Sequence, residues 1–179
     1  MSAASIAPFY AGWSLCNDEL IAAIAHLSPE QLGIAIRKGW PIWASVSHVA
    51  GGRVFWLCQI LGEPGAETTP FNDPSGFGWE DDLSHPRNAG ELVGALRSTW
   101  RIAQHALDTW TTGMLAEEKP RTGPAGTRMH SRQSVIMRII THDAFHAGEI
   151  SHALGEHGLG GDGPNGPIDI WRGLSRPAP

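Results

Sequence analysis

Two cysteines, Cys16 and Cys58, are the only thiols among 179 residues. That is too few for a disulfide scaffold, and each is read as a small buried apolar residue rather than half of a bridge. No run of about 18 uncharged apolar residues occurs, so no transmembrane helix is expected. The opening MSAASIAPFY has no positive charge ahead of an apolar run. No signal peptide is therefore expected, and the protein is read as cytoplasmic. Basic residues are scarce and scattered: Lys plus Arg number 13 against 18 Asp plus Glu, a formal net charge of -5. Without a basic block, neither nucleic acid nor a membrane surface is an expected partner. What is present, 41% hydrophobic and 17% charged residues, belongs to a globular chain. Its length suits one domain over 1–179, with a core at about 5–155 and a tail at 156–179.

Glycine and proline are abundant, 22 and 13 residues, but they concentrate in 62–90, 113–126 and 155–179. Between these breakers lie four long stretches of helical periodicity, at about 5–27, 41–61, 89–113 and 131–155. In the first, apolar residues recur at Ile6, Phe9, Trp13, Leu20, Ile24 and Leu27. Ser28-Pro29-Glu30 then gives a fresh cap and a short turn to Gly33. The third opens with Asn88 and Glu91, the spacing of a capping box, and carries a stripe through Leu92, Leu96, Trp100, Ala103, Leu107, Trp110 and Met114. Ser131 is the cap expected for the fourth and Gly155 its stop. No strand-like alternation is visible. The expectation is an all-α four-helix bundle, with a long crossover between helices two and three and a Gly/Pro-rich C-terminal tail packed back by Ile168, Ile170 and Trp171.

The fourth stretch interrupts its own apolar pattern. Its inward stripe reads Val135, Ile139, His142, His146, Ile150 and Ala153, so two histidines stand where leucines belong. At i and i+4 their imidazoles share one helix face, one turn apart, close enough to hold one metal ion. A pair of buried, hydrogen-bonded imidazoles is the plain alternative. The second stretch offers a third ligand, His48, beside Ala44, Ser45, Gly51 and Gly52. Two glycines inside a helix cost about 1 kcal/mol each relative to Ala, and close approach of another group is the usual compensation.

W-x4-HVAGG-x2-FW around His48, with T-HDAFHAGEI around His142 and His146, resembles the DinB/YfiT-like superfamily, and the resemblance runs over about 5–155. It implies a four-helix bundle in which His48, His142 and His146 bind one divalent metal ion per chain, zinc or nickel, with iron or manganese also open. It further implies metal-dependent transferase or hydrolase chemistry on a small thiol or small electrophile, as in relatives that use low-molecular-weight bacterial thiols, and a homodimer. A metal-containing stress or binding protein without turnover is the alternative. The family phrase H-R-G-Q-I is here His146-Ala147-Gly148-Glu149-Ile150, so Ala and Glu replace Arg and Gln. An open three-histidine site can bring a coordinated water to a pKa of about 7 or activate a thiolate.

His142, His146 and His152 also match the offsets of a long zinc-protease motif. Asp143 replaces its general-base Glu, and Gly148 comes one place early. Glu149 lies close to the His142 direction on a helical wheel. It is a candidate to orient a ligand or serve as fourth ligand or base, against a plain ion pair at the bundle edge. Asp143, turned away by about 100°, is read as solvated, and Arg53 as a solvated or paired arginine that could otherwise meet an anionic substrate. His26, His85, His105, His130 and His157 share no spacing and are read as surface residues.

Overall fold

Side-chain caps set several of the helix starts. The computed structural model describes residues 4–72, 81–161 and 165–171. Its helices are α1 (Trp13–Ile24), the single turn α2 (Pro29–Leu32), α3 (Ile42–Val54), α4 (Ala89–Thr109) and α5 (Arg132–Glu156). Ser28 and Asn88 each accept from the backbone N–H three residues on, and the Gln31 and Glu91 side chains accept from the cap's own N–H. Ser131 caps α5 by accepting from the Ser134 N–H. The second stretch changes gauge: after Val54 it continues as a wide π-type turn, Phe55–Ile60. The first is shorter than its periodicity suggests, because Ala7–Tyr10 forms a separate 3₁₀ turn that leaves Phe9 76% exposed.

α1 packs on α4 and α5, and α3 packs on the same two helices. The apolar interior divides into two clusters along the helix axes. One gathers Leu20, Ile24, Val46, Ala50, Leu92, Leu96 and Ile150. The other gathers Trp13, Val54, Leu57, Ile102, Trp110, Val135 and Ile139. On each helix the residues between the clusters are polar and buried: Asn17, Arg53, Thr99 and Asp143. Arg53, 1% exposed, donates from Nη2 and Nε to Asp143 Oδ2 at 2.8 and 3.0 Å, and from Nη1 to Asn17 Oδ1 at 2.7 Å. The Trp13 indole N–H adds a bond to the same Oδ2 at 3.2 Å. Asp143 is thus not solvated as its wheel position suggested. α5 is covered by α1 as well as α3, so a direction about 100° from the histidines still points indoors.

Strands are present, against the expectation of none. β1 (Ala35–Arg37) pairs antiparallel with β2 (Trp40–Pro41), and β3 (Glu118–Gly123) with β4 (Gly126–Ser131). β3–β4 is exposed on both faces over most of its length. With neither face buried, no period-two apolar pattern is required, and none is there to read. Residues 62–72 of the expected crossover form 3₁₀ turns at Ala66–Thr68 and Pro70–Asn72, and the two helices this segment joins, α3 and α4, pack directly together. Part of that segment, 73–80, lies outside the described residues, as do 1–3 and, in the expected tail, 162–164 and 172–179. Ile168 is buried and donates its N–H to Ser151 Oγ at 3.1 Å, whereas Trp171 is 57% exposed. Both cysteines are free and half-buried, and no described helix is long and apolar enough to cross a membrane.

Breaking the Arg53–Asp143 pair strands a buried charge. Arg53→Met is expected to cost about 3–5 kcal/mol, whereas Arg37→Gln, which breaks a partly exposed pair with Glu149, should cost under about 1 kcal/mol. Urea denaturation of the two variants beside the parent chain checks the contrast; equal losses would remove the central role given to the buried pair.

Candidate metal centre

The polar layer opens on one side of α5 into a cluster of imidazoles. His48 comes from α3, His142 and His146 from successive turns of α5, and one nitrogen from each lies within 4.8 Å of the others. Ring centroids are 4.7 Å apart for His48–His142, 5.1 Å for His48–His146 and 4.5 Å for His142–His146. Small residues on α3 permit this approach. A Cβ at Gly52 would stand 3.3 Å from His142 Cε1, so the glycine makes room for the ring. This is the compensation that the paired glycines led one to expect.

Each imidazole has a carboxylate on its Nδ1 side. His48 Nδ1 lies 2.9 Å from Asp81 Oδ1, and His146 Nδ1 lies 2.7 Å from Glu149 Oε2 and 3.3 Å from Ser45 Oγ. His142 Nδ1 faces Asp143 Oδ1 at 3.8 Å, and that oxygen is buried with no hydrogen-bond partner among the described residues. A carboxylate at Nδ1 makes that nitrogen the N–H donor and leaves the Nε2 lone pair for a metal. Glu149 in turn takes two bonds from Arg37 Nη1, at 3.2 and 3.3 Å. It therefore orients a histidine and forms an edge ion pair at once.

Burial pushes the His48 and His146 pKa values below the ordinary imidazole range, against the opposing pull of Asp81 and Glu149. Both rings are thus held neutral near pH 7, the form a metal requires. The residues fit a divalent cation: three imidazole nitrogens within 4.8 Å of one another, two of the rings hydrogen-bonded to carboxylates at Nδ1, around a cradle that Gly52 leaves open. Phe145, 61% exposed, sets its ring edge-on to His146 with centroids 5.1 Å apart.

The remaining candidates lie elsewhere. His152 is exposed on α5 and outside the cluster, so the protease-like trio of His142, His146 and His152 does not assemble. His26, His105 and His157 are exposed. His85 and His130 are half-buried, against Asp82 and Trp56 respectively, rather than plain surface residues. The sequence did not single out Asp81 or Arg37. Both reach the site from outside α3 and α5, so no helical spacing announces them.

A crystal structure of a DinB-like protein from Bacillus cereus superposes with a TM-score of 0.67, covering 90% of this chain and 99% of that one at 19% identity. A likeness at that identity establishes the fold. No curated protein matches the chain. The family model of the DinB superfamily matches residues 13–150, from the first residue of α1 past all three clustered histidines. The chain therefore belongs to the DinB superfamily.

Proposed function

We propose that the four long helices form a bundle around one divalent metal ion, zinc or nickel, held by Nε2 of His48, His142 and His146. The chain is then a metal-dependent transferase or hydrolase acting with a small thiol or small electrophile. The observation that carries this reading is the gathering of three imidazole nitrogens within 4.8 Å of one another, with carboxylates hydrogen-bonded at two of the Nδ1 atoms and a third carboxylate oxygen 3.8 Å from the other. A divalent ion at this position supplies Lewis acidity. The residues of the chain do the rest. Asp81 and Glu149 fix ring tautomer and direction at His48 and His146, Arg37 restrains Glu149, and Phe145 lies edge-on against His146. Any thiol used must come from outside, because burial pushes the Cys58 thiol up to about 11 and raises that of Cys16 as well. The alternative class, a metal protein without turnover, is distinguished by assay. A saturable activity that chelator abolishes and one metal restores supports the enzyme; tight metal binding with no reactivity towards a panel of thiols and electrophiles supports the alternative.

Metal content per chain tests the ligand set. His48→Ala, His142→Ala and His146→Ala should each lower occupancy severely, and His152→Ala should leave it unchanged. Loss in His152→Ala with a full site in His48→Ala would overturn the cross-helix centre.

Gly52→Ala separates metal binding from helix stability. The added Cβ meets His142 Cε1 at 3.3 Å, so the ring must shift by a few tenths of an ångström. Helix propensity meanwhile gains about 1 kcal/mol. The metal-free variant should melt no lower than the parent while metal affinity, read by competition with a chromophoric chelator, falls several-fold. Unchanged affinity would mean His142 is not a ligand in this position.

Protons and metal compete for the same nitrogens. The folded pKa values of His48 and His146 lie below the unfolded value of about 6.5. The unfolded chain therefore binds more protons, and stability falls as pH drops through about 6.5 towards those lowered values. Thermal melts with and without chelator should differ by several degrees at pH 7.5 and converge near pH 5, with both forms less stable there. Coincident melts at pH 7.5, after full occupancy has been confirmed, would rule out a metal held in the core.

A further inference from the structure

One face of the β3–β4 hairpin is basic throughout. In the register, Arg121 stands opposite Arg128 and Lys119 opposite His130. Residues two apart along a strand share a face, so all four side chains project to the same side. Like charges directly opposite are destabilising in an antiparallel pair, and the chain as a whole is acidic at -5. The basic face is not solvated at random, because it meets the helices beside the histidines. The Arg121 guanidinium lies 5.3 Å from the Phe55 ring centre and 5.4 Å from that of Trp56, and the His130 and Trp56 rings are 5.1 Å apart. From α5, Arg138 sets its guanidinium 4.6 Å from the same Trp56 ring. Among the described residues no carboxylate forms an ion pair with Arg121, Arg128 or Arg138, whereas Arg37, Arg53 and Arg87 each have one and Arg132 has two. Loss of solvent, and the charges of Arg138, Arg121 and Arg128, push the His130 pKa down, and its buried Nε2 has no hydrogen-bond partner among the described residues.

The position of this surface is as informative as its charge. Arg138 precedes His142 by one helical turn, about 6 Å along α5, and Trp56 follows Gly52, the glycine that accommodates His142, by four residues, in the wide turn that continues α3. That turn, Phe55–Ile60, is a helical irregularity of a kind often found at functional sites. We propose that Phe55, Trp56, Arg121, Arg128, His130 and Arg138 form an anion-binding subsite of the metal centre. It takes the carboxylate or phosphate of a small organic substrate whose reacting group lies at the histidines. This rests on the metal-centre reading given above. Guanidinium groups match both anions by paired N–H donation, and the half-buried faces of Phe55 and Trp56 receive the apolar body of such a molecule. The acidic remainder of the chain disfavours a polyanion, so the ligand is small.

Sodium benzoate and phenyl phosphate are the two probes, with benzyl alcohol as the uncharged control. Binding is read from the indole ¹H–¹⁵N cross-peak of Trp56, assigned by its disappearance in Trp56→Phe. Both anions, or one of them, should shift that peak saturably, the tighter naming carboxylate or phosphate as the preferred group. The shift should weaken with added salt and vanish in the double variant Arg121→Gln/Arg138→Gln. Both substitutions are at exposed positions, so that variant should melt with the parent and keep its metal occupancy. Loading the parent chain with zinc should tighten anion binding by about two- to fivefold through the nearby positive charge. No saturable shift with either anion, an equal shift with benzyl alcohol, or a shift that survives the double variant would overturn the subsite. A parent chain that binds the anions but takes up no metal would instead overturn the metal centre and leave the anion site standing.

Discussion

The Arg53–Asp143 pair is the constraint around which the other features are arranged. A guanidinium that is 1% exposed and a carboxylate that is 5% exposed lie between two apolar clusters, and together with Asn17 and Thr99 they place a polar group on each of the four long helices at one level. Such a pair is weak evidence for stability, since apolar residues of the same shape can do as well. What it contributes is register. A helix that slides by one turn against its neighbours would carry its polar residue into an apolar cluster and leave the others unpaired. The pair therefore fixes how α1, α3, α4 and α5 stand along their axes.

Register matters because the imidazoles share that level. His142 precedes Asp143 directly, and Gly52 precedes Arg53, so the bond that ties α3 to α5 also sets the distance between the glycine cradle and the ring it admits. All three polar hydrogens that reach Asp143 go to Oδ2, from Arg53 twice and Trp13 once. Oδ1 is left facing His142 Nδ1 at 3.8 Å. One carboxylate thus serves the interior through one oxygen and the histidine cluster through the other. A buried oxygen without a hydrogen bond is costly, and a modest turn of the His142 ring would give it one.

The sequence displayed the parts of this scheme that obey a helical period. Four long stretches, three capping residues, the histidine stripe and the glycine pair were all legible, because each follows from spacing along one helix. Asp143 was misread for the same reason: a wheel gives an angle, but only the neighbouring helices decide whether that angle faces water. The wheel could not register α1 on the far side of α5. Asp81 and Arg37 were invisible because they approach His48 and Glu149 from a loop and a short strand. β3–β4 went unseen because an exposed hairpin needs no apolar alternation, and its turn glycines looked like those of any loop.

The two hairpins meet the histidine-bearing helices at different levels, and this gives the fold a division of labour. β1 carries Arg37 to Glu149, on the C-terminal side of His146, while β3 and β4 bring their basic face to Trp56 and Arg138, on the N-terminal side of His142. Neither hairpin adds a residue to the polar layer. Substitutions on the exposed stretch of β3–β4 leave helix register and core packing untouched, whereas Ile36 and Trp40 of the other hairpin pack against the core, and any change to Arg53 or Asp143 disturbs the register. The histidine cluster is built beside the buried polar layer, whereas β3–β4 is a short, solvated segment. Variation of chemistry around a fixed centre is cheapest where the backbone is exposed and carries little of the core. In this chain the three clustered histidines lie on α3 and α5, and the hairpins add Arg37 beside Glu149 and Arg121 beside Trp56.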